Sequence, residues 1–179
     1  PDAGKEIALC GRSNSGKSTL INALANQKKL AKTSNTPGRT QSINFFHLAN
    51  DKAKKIVDLP GFGYAKASKQ DQNAWARLIM SYLEKRAALS DLILIMDMRH
   101  PFQSKDLEFL SLCESLNLPI HLVLTKADKL NNKETQNALK VVSEKMIAYP
   151  NIVDSLTFSA TKKIGLETLL NKIKLLLEV

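Results

Sequence analysis

No apolar run in the chain approaches the roughly 18 residues that cross a bilayer, and its start lacks a charged segment followed by a long apolar stretch. Neither a membrane partner nor an export signal is expected, and a cytoplasmic location is. Cysteine is scarce. Cys10 lies in an apolar run and Cys113 sits between Leu112 and Glu114, with no metal or disulfide spacing, so two buried free thiols and no disulfide partner are expected. Internal repeats and low-complexity linkers are also missing, and 179 residues suit one domain spanning 1–179. At 44% hydrophobic, 24% charged and 6% aromatic, the chain can bury an ordinary globular core, which excludes disorder and collagen.

Acidic residues are in short supply only in the first half. Residues 1–89 carry 15 basic and 6 acidic side chains, a balance of +9, whereas residues 90–179 carry 11 of each. A positive excess confined to one half suits either solubility or an acidic partner such as nucleic acid.

Short apolar runs at 7–10, 92–96 and 120–124 alternate with longer amphipathic stretches, the pattern of a mostly parallel sheet covered on both faces. A sixth strand is expected around 156–159. Runs at 43–48 and 54–57 flank Ala49, Asn50 and Asp51 and predict an antiparallel hairpin. Helical spacing appears at 18–25, 75–86, 104–116, 133–148 and in Leu166, Leu169, Leu170, Ile173, Leu176 and Leu177. The fold class is α/β, doubly wound in three layers, with about six strands, mostly parallel with one antiparallel edge pair.

Gly11, Arg12, Ser13, Asn14, Ser15, Gly16, Lys17 and Ser18 follow the first strand and open a helix, matching the phosphate-binding loop pattern in its required context. Its backbone N–H groups cradle phosphates at a helix N-terminus. Lys17 would reach the terminal phosphates, and the Ser18 hydroxyl would ligate Mg²⁺. Asp58, Leu59, Pro60 and Gly61 end the hairpin's second strand, with Asp58 suited to the Mg²⁺ shell and Gly61 to the γ-phosphate.

Thr125, Lys126, Ala127 and Asp128 follow the strand at 120–124, where open α/β sheets place ligand contacts. The Asp128 carboxylate can accept from guanine N1–H and the N2 amino group, with the Lys126 stem against the base. Adenine would leave Asp128 desolvated and unpaired. Phe158, Ser159 and Ala160 end the next strand, where backbone N–H groups can meet guanine O6. GTP and GDP are thus the expected ligands.

Residues 36–42 have turn composition and no period, so they form a loop able to close over the γ-phosphate. Thr36 and Thr40 are equally suited to Mg²⁺ on this reasoning. His100 reads as a turn residue, His47 and His121 as sheet packing, and Trp75 as helix packing or a base stack.

The motif order resembles the Ras-like superclass of P-loop GTPases and, in finer detail, the EngB (YihA/YsxC) family linked to large ribosomal subunit assembly. The family-like features are Thr36, Pro37, Gly38, Arg39, Thr40 and Gln41, then residues 58–65, Trp75, residues 82–86, residues 97–101 and residues 125–128. The resemblance implies that Thr40 is the switch threonine on Mg²⁺, that the loop at 36–42 is one switch, with Gly38, Arg39, Thr40, Gln41 and Ser42 contacting the nucleotide, and that the stretch after Gly61 is the other. It implies a monomeric GTPase partnered by the large ribosomal subunit or its RNA and needed for normal cell division. Phe62 stands where Ras-like enzymes place a water-orienting glutamine, so slow hydrolysis is expected, with Lys17, Thr40, Gly61 and Asn14 as the catalytic set. Asn14 resembles the asparagine that recruits K⁺ in related GTPases, and it equally suits the backbone of the loop.

Two other readings compete. A P-loop small-molecule kinase conflicts with residues 125–128 and lacks an inserted lid. A nucleotide-independent RNA-binding module would leave Lys17, Ser18 and Asp58 without a role.

Overall fold

Alternation along the first strand creates two cores. In β1 (Lys5–Gly11), Ile7 and Leu9 face one side of the sheet and Ala8 and Cys10 the other, all without exposed surface. The structure, a computed structural model, describes residues 2–25, 42–48, 51–63 and 68–178. Its other elements are α1 (Lys17–Leu24), β2 (Asn44–Leu48), β3 (Asp51–Asp58), α2 (Lys69–Lys85), β4 (Leu89–Asp97), α3 (Ser104–Ser115), β5 (Ile120–Thr125), α4 (Asn132–Ala148), β6 (Ile152–Thr157) and α5 (Leu166–Leu177).

The sheet order is β2-β3-β1-β4-β5-β6, with β2–β3 antiparallel and every other pairing parallel. Helices α2, α3 and α4 pack on the Ala8 and Cys10 face through Ile79, Phe109, Leu110 and Val142. Helices α1 and α5 cover the other through Leu20, Ile21, Leu169 and Ile173. In β4 every residue from 92 to 96 is at most 1% exposed, and each such side chain removed from water contributes roughly 1.5–3 kcal/mol. Both cysteines are free and buried, as expected.

Parallel pairing brings the carboxyl ends of β1, β3, β4, β5 and β6 to one edge of the sheet. The helices after β1 and β3 leave for opposite faces, opening a crevice there. At the opposite edge, fully buried Glu6 is held by Arg86 from the end of α2 at 2.6 and 2.8 Å, by Lys55 at 2.9 Å and by Tyr82 Oη at 3.2 Å. Burial alone would raise the Glu6 carboxyl, but Arg86 and Lys55 outweigh it and hold it below its ordinary value.

β3 and β4 begin three residues before their apolar runs, at Asp51 and Leu89, and two boundaries differ by more. The sixth strand is Ile152–Thr157 rather than 156–159, because Asp154 and Ser155 interrupt the apolar period of an edge strand. Asp154 accepts from His121 at 2.9 Å and also pairs with Lys172. Helix α2 begins six residues earlier than the apolar spacing suggests, at a capping box in which Ser68 and Asp71 satisfy each other's backbone N–H. Residues 68–74 are all exposed, so no apolar stripe announces those turns.

Candidate functional site

The loop after β1 is shaped by two close approaches. A Cβ at Gly11 would lie 2.5 Å from the Ile95 carbonyl oxygen and 2.7 Å from Ser15 Oγ, so only glycine fits. Gly16, at φ +96°, caps α1, and a Cβ there would meet Thr125 Oγ1 at 3.1 Å. Asn14 adopts φ +64° and Lys126 φ +59°. Among the described residues nothing accepts from the backbone N–H groups of Asn14, Gly16, Lys17 or Ser18. Donors converging at the start of a helix without protein partners suit an anion.

Lys17 Nζ is ion-paired with Asp58 at the end of β3, both side chains 11% exposed. This joins the residue suited to phosphate to the residue suited to Mg²⁺. No group of three or more His, Cys, Asp or Glu able to hold an ion occurs among the described residues. The Ser18 hydroxyl and the Asp58 carboxylate are hard oxygen donors beside the phosphate-binding amides, so they fit a hard cation that shares its ligands with a phosphate.

Past Asp58, Leu59 N–H bonds to the Leu9 carbonyl at 3.0 Å, and Phe62 straps the phosphate loop by accepting from Ser13 N–H at 2.7 Å and donating to the Gly11 carbonyl at 3.3 Å. Gly61 lies between them, where a Cβ would stand 3.3 Å from the Gly11 oxygen. Trp75 Nε1 donates to the Pro60 carbonyl at 2.8 Å, and the ring packs on Phe62, so helix packing is the role it has. Phe62 is itself stacked on Phe109 at 5.1 Å.

On the other side of the crevice, Thr125 Oγ1 donates to the Ser15 carbonyl and approaches that of Met96. Lys126 Nζ spans the gap to the Asn14 carbonyl at 2.7 Å and to Asp97 at 2.9 Å. Burial opposes the charge on Asp97, but hydrogen bonds from Arg99 and Lys126 hold its carboxyl well below the usual range. Ala127 N–H bonds to the Phe158 carbonyl at 3.2 Å, and Asp128 accepts from Ser159 Oγ at 2.6 Å. That bond, with Lys129 nearby, lowers the Asp128 carboxyl and keeps it ionised at neutral pH.

Of the three amides expected near a base oxygen, Phe158 N–H is taken by Leu124 and Ser159 N–H by Ile164, leaving Ala160 N–H without a partner among the described residues. Gly38, Arg39, Thr40 and Gln41, with Thr36, lie outside the described residues. Ser42 is exposed, two positions before Asn44, which pairs in register with Asp58. His100 is an exposed turn residue, His121 is buried between Asp91 and Asp154, and His47 is exposed on β2 with Nδ1 against the Lys52 carbonyl at 2.8 Å. Asp97 stands in the sequence only as part of the feature at 97–101, and its role as the anchor of Lys126 comes from the structure. Its position at a strand carboxyl end was the available signal.

Comparison with known proteins adds the family. The sequence model described as "50S ribosome-binding GTPase" matches residues 6–126. A probable GTP-binding protein EngB of Haemophilus influenzae (strain PittEE) is 46% identical over 172 residues, 96% of this chain and 83% of its own. The chain belongs to the EngB family of GTP-binding proteins. The Escherichia coli O139:H28 EngB protein is 44% identical over the same 96% of this chain and 81% of its own. A crystal structure of a probable EngB superposes with a TM-score of 0.76 at 26% identity, covering 97% of this chain and 98% of that one. Era, solved in complex with MgGDPNP and nucleotides 1506–1542 of 16S ribosomal RNA, shares the fold with a TM-score of 0.71 at 23% identity over 96% of this chain and 56% of its own. As an EngB family member the chain is a P-loop GTPase, and its family binds GTP or GDP with Mg²⁺. No helix among the described residues is long and apolar enough to cross a membrane.

Proposed function

We propose that the chain is a GTP-driven switch in assembly of the large ribosomal subunit. The observation that carries this reading is the Lys17–Asp58 corner beside loop amides that have no partner among the described residues, within a family whose sequence model is described as ribosome-binding. The N–H groups of Asn14, Gly16, Lys17 and Ser18 bind the phosphates, and Lys17 exchanges Asp58 for them. Asp128 accepts from the guanine edge, Lys126 lies along the base, and Ala160 N–H meets O6. Ser18, Asp58 and Thr40 would hold Mg²⁺, which when bound would neutralise charge on the phosphates.

Gly61 N–H orients the γ-phosphate. Phe62 is 5% exposed and locked between Phe109 and Trp75, so it cannot orient water, and intrinsic hydrolysis is slow. Asn14 would hold a K⁺ ion, which when bound would supply positive charge to the phosphates, with Arg39 as the alternative in cis. The output is the shape of residues 36–42 and 61–74.

The partner is the large ribosomal subunit through its RNA, a reading supported by the +9 balance of residues 1–89, the half that includes both switches. A cytoplasmic monomer built as one GTP-binding domain, needed for normal cell division, accords with this role. The test is sedimentation of the protein, with GDP or a non-hydrolysable GTP analogue, against free large subunits. Comigration with large subunits in the analogue-bound form is expected, and its absence in both forms rejects the reading.

A further inference from the structure

Helix α3 reaches the phosphate loop by two routes, and only one of them is apolar. Phe109 takes the apolar route by stacking on Phe62. One turn earlier, Asp106 faces Arg12 of the phosphate loop, with Nη1 3.9 Å from Oδ2. The Asp106 side chain is 2% exposed. Its Oδ2 accepts from the Gln103 N–H at 2.9 Å, which caps the helix, while Oδ1 is buried and has no partner among the described residues.

An ionised carboxylate with a bare buried oxygen is costly, and removal from water pushes its carboxyl up to about 6. A guanidinium within reach could satisfy both oxygens, yet it stands off. Gly63 lies over it. With φ +72°, Gly63 carries no side chain, and a Cβ there would lie 3.6 Å from Arg12 Nε and 3.8 Å from Lys105 Cβ. Arg12 is also tied to the strap, because its backbone forms an isolated parallel bridge with Phe62.

We propose that Asp106 is a positioning residue for the GTP-bound state, closing onto Arg12 when residues 61–63 move toward the γ-phosphate. This rests on the reading of residues 61–63 as the root of a nucleotide-responsive switch. In the present conformation the strap holds Gly63 over Arg12 and the pair is loose. When Gly61 N–H turns to the γ-phosphate, Gly63 leaves the guanidinium. Arg12 then approaches Asp106 and satisfies Oδ1. A charged bidentate pair that forms in one nucleotide state alone couples the nucleotide to the switch. Gly63 suits this hinge because its φ of +72° is a conformation that L side chains rarely adopt, whereas a Cβ there would make only ordinary contacts with Arg12 and Lys105.

Two groups face the Asp106 carboxylate, the Arg12 guanidinium from the phosphate loop and the Gln103 amide, while Lys105 is engaged by Glu108 at 2.7 Å. The closed pair favours the carboxylate and the loose pair tolerates the acid. Raising pH through about 6 therefore favours closure.

The test uses Asp106→Asn, which keeps an oxygen for the Gln103 cap and removes the charge. Affinity for a non-hydrolysable GTP analogue should fall about fivefold or more, with GDP affinity changed less than about twofold, the lower end of ordinary coupling. Arg12→Gln should shift the analogue-to-GDP ratio in the same direction, and the double variant should be no worse than the stronger single one. The wild-type advantage over Asp106→Asn for the analogue should grow between pH 5 and pH 7.5, a comparison that cancels titration of the nucleotide itself. Equal losses for the two nucleotides, a larger loss for GDP, or additive single effects overturn the proposal.

Trp75, the sole tryptophan and packed 5.6 Å from Phe62, reports the switch independently. Wild-type emission that differs between GDP and the analogue, with the difference reduced in Asp106→Asn, is the expected result. The same difference undiminished in Asp106→Asn overturns the Asp106 role alone. No difference in wild type overturns the switch reading and this proposal together.

Discussion

Ser159 Oγ donates to Asp128 Oδ1 at 2.6 Å, joining the chain after β6 to the chain after β5 across the base-binding corner. Asp128 thereby meets a ligand already oriented and already ionised. Asp128→Asn should weaken GTP and improve xanthosine triphosphate, because xanthine offers an acceptor where guanine has its N2 amino group. Ser159→Ala should keep the guanine preference and lose about tenfold in GTP affinity, since the carboxylate loses the charge-assisted hydrogen bond that orients it. Calorimetry with both nucleotides checks the pair, and an unchanged GTP affinity in Asp128→Asn removes that residue from the site.

The stacked Phe62 and exposed Asn14 make a kinetic prediction. Phosphate release should be slow in Na⁺ buffer, faster in K⁺ at equal ionic strength, and indifferent to the cation in Asn14→Ala. Equal wild-type rates in the two salts would exclude potassium and leave Arg39 or an activating partner.

Binding to large ribosomal subunits should have two separable components. Lys66→Glu and Lys69→Glu should weaken binding with either nucleotide and lower the log–log salt slope by roughly 0.7–0.9 per lost phosphate contact. Thr40→Ala should abolish the preference for the GTP form while leaving that slope intact. A filter-binding series across salt with both nucleotides decides it, and affinity blind to nucleotide at every salt concentration reduces the basic half to a solubility feature.

His121 supplies a stability prediction remote from the site. Its Nε2 stands 3.1 Å from Asp91 and its Nδ1 2.9 Å from Asp154, which also pairs with Lys172. Burial opposes the imidazolium, but the two carboxylates prevail and raise its pKa above the ordinary 6.5. A raised folded-state value means the contribution is fully present below about 6.5 and is lost as pH rises through the folded value. Thermal unfolding of wild type and His121→Asn should differ more at pH 6 than at pH 9, and a gap that stays constant across that range rejects the charged bridge.

Most of the fold was readable because buried parallel strands announce themselves. Residues 92–96 and 120–124 are continuous apolar runs, and their burial required no further information. The phosphate loop was readable for a different reason, since its glycines answer to local backbone geometry. What escaped was cooperative across the chain. Asp97 touches Lys126, and Arg12 faces Asp106, only because the sheet order aligns strand ends. The early turns of α2 escaped because a capping box and solvent-facing side chains build them without an apolar stripe.

That helix has an uneven attachment. Arg86 and Tyr82 bind its last turn to Glu6 at the foot of the strand that carries the phosphate loop, while residues 68–74 are exposed along their whole length. It is a lever held from Ile79, fully buried in its middle, to its last turn, with its first turns free. Lys69 lies ten residues before Ile79, about 15 Å along the helix, so a tilt of about 10° about that buried contact sweeps the free tip by about 3 Å. A displacement of an ångström or two at Gly61, close to the phosphate, would thus arrive at Lys69 and its neighbours enlarged, on the surface where a large partner can feel it.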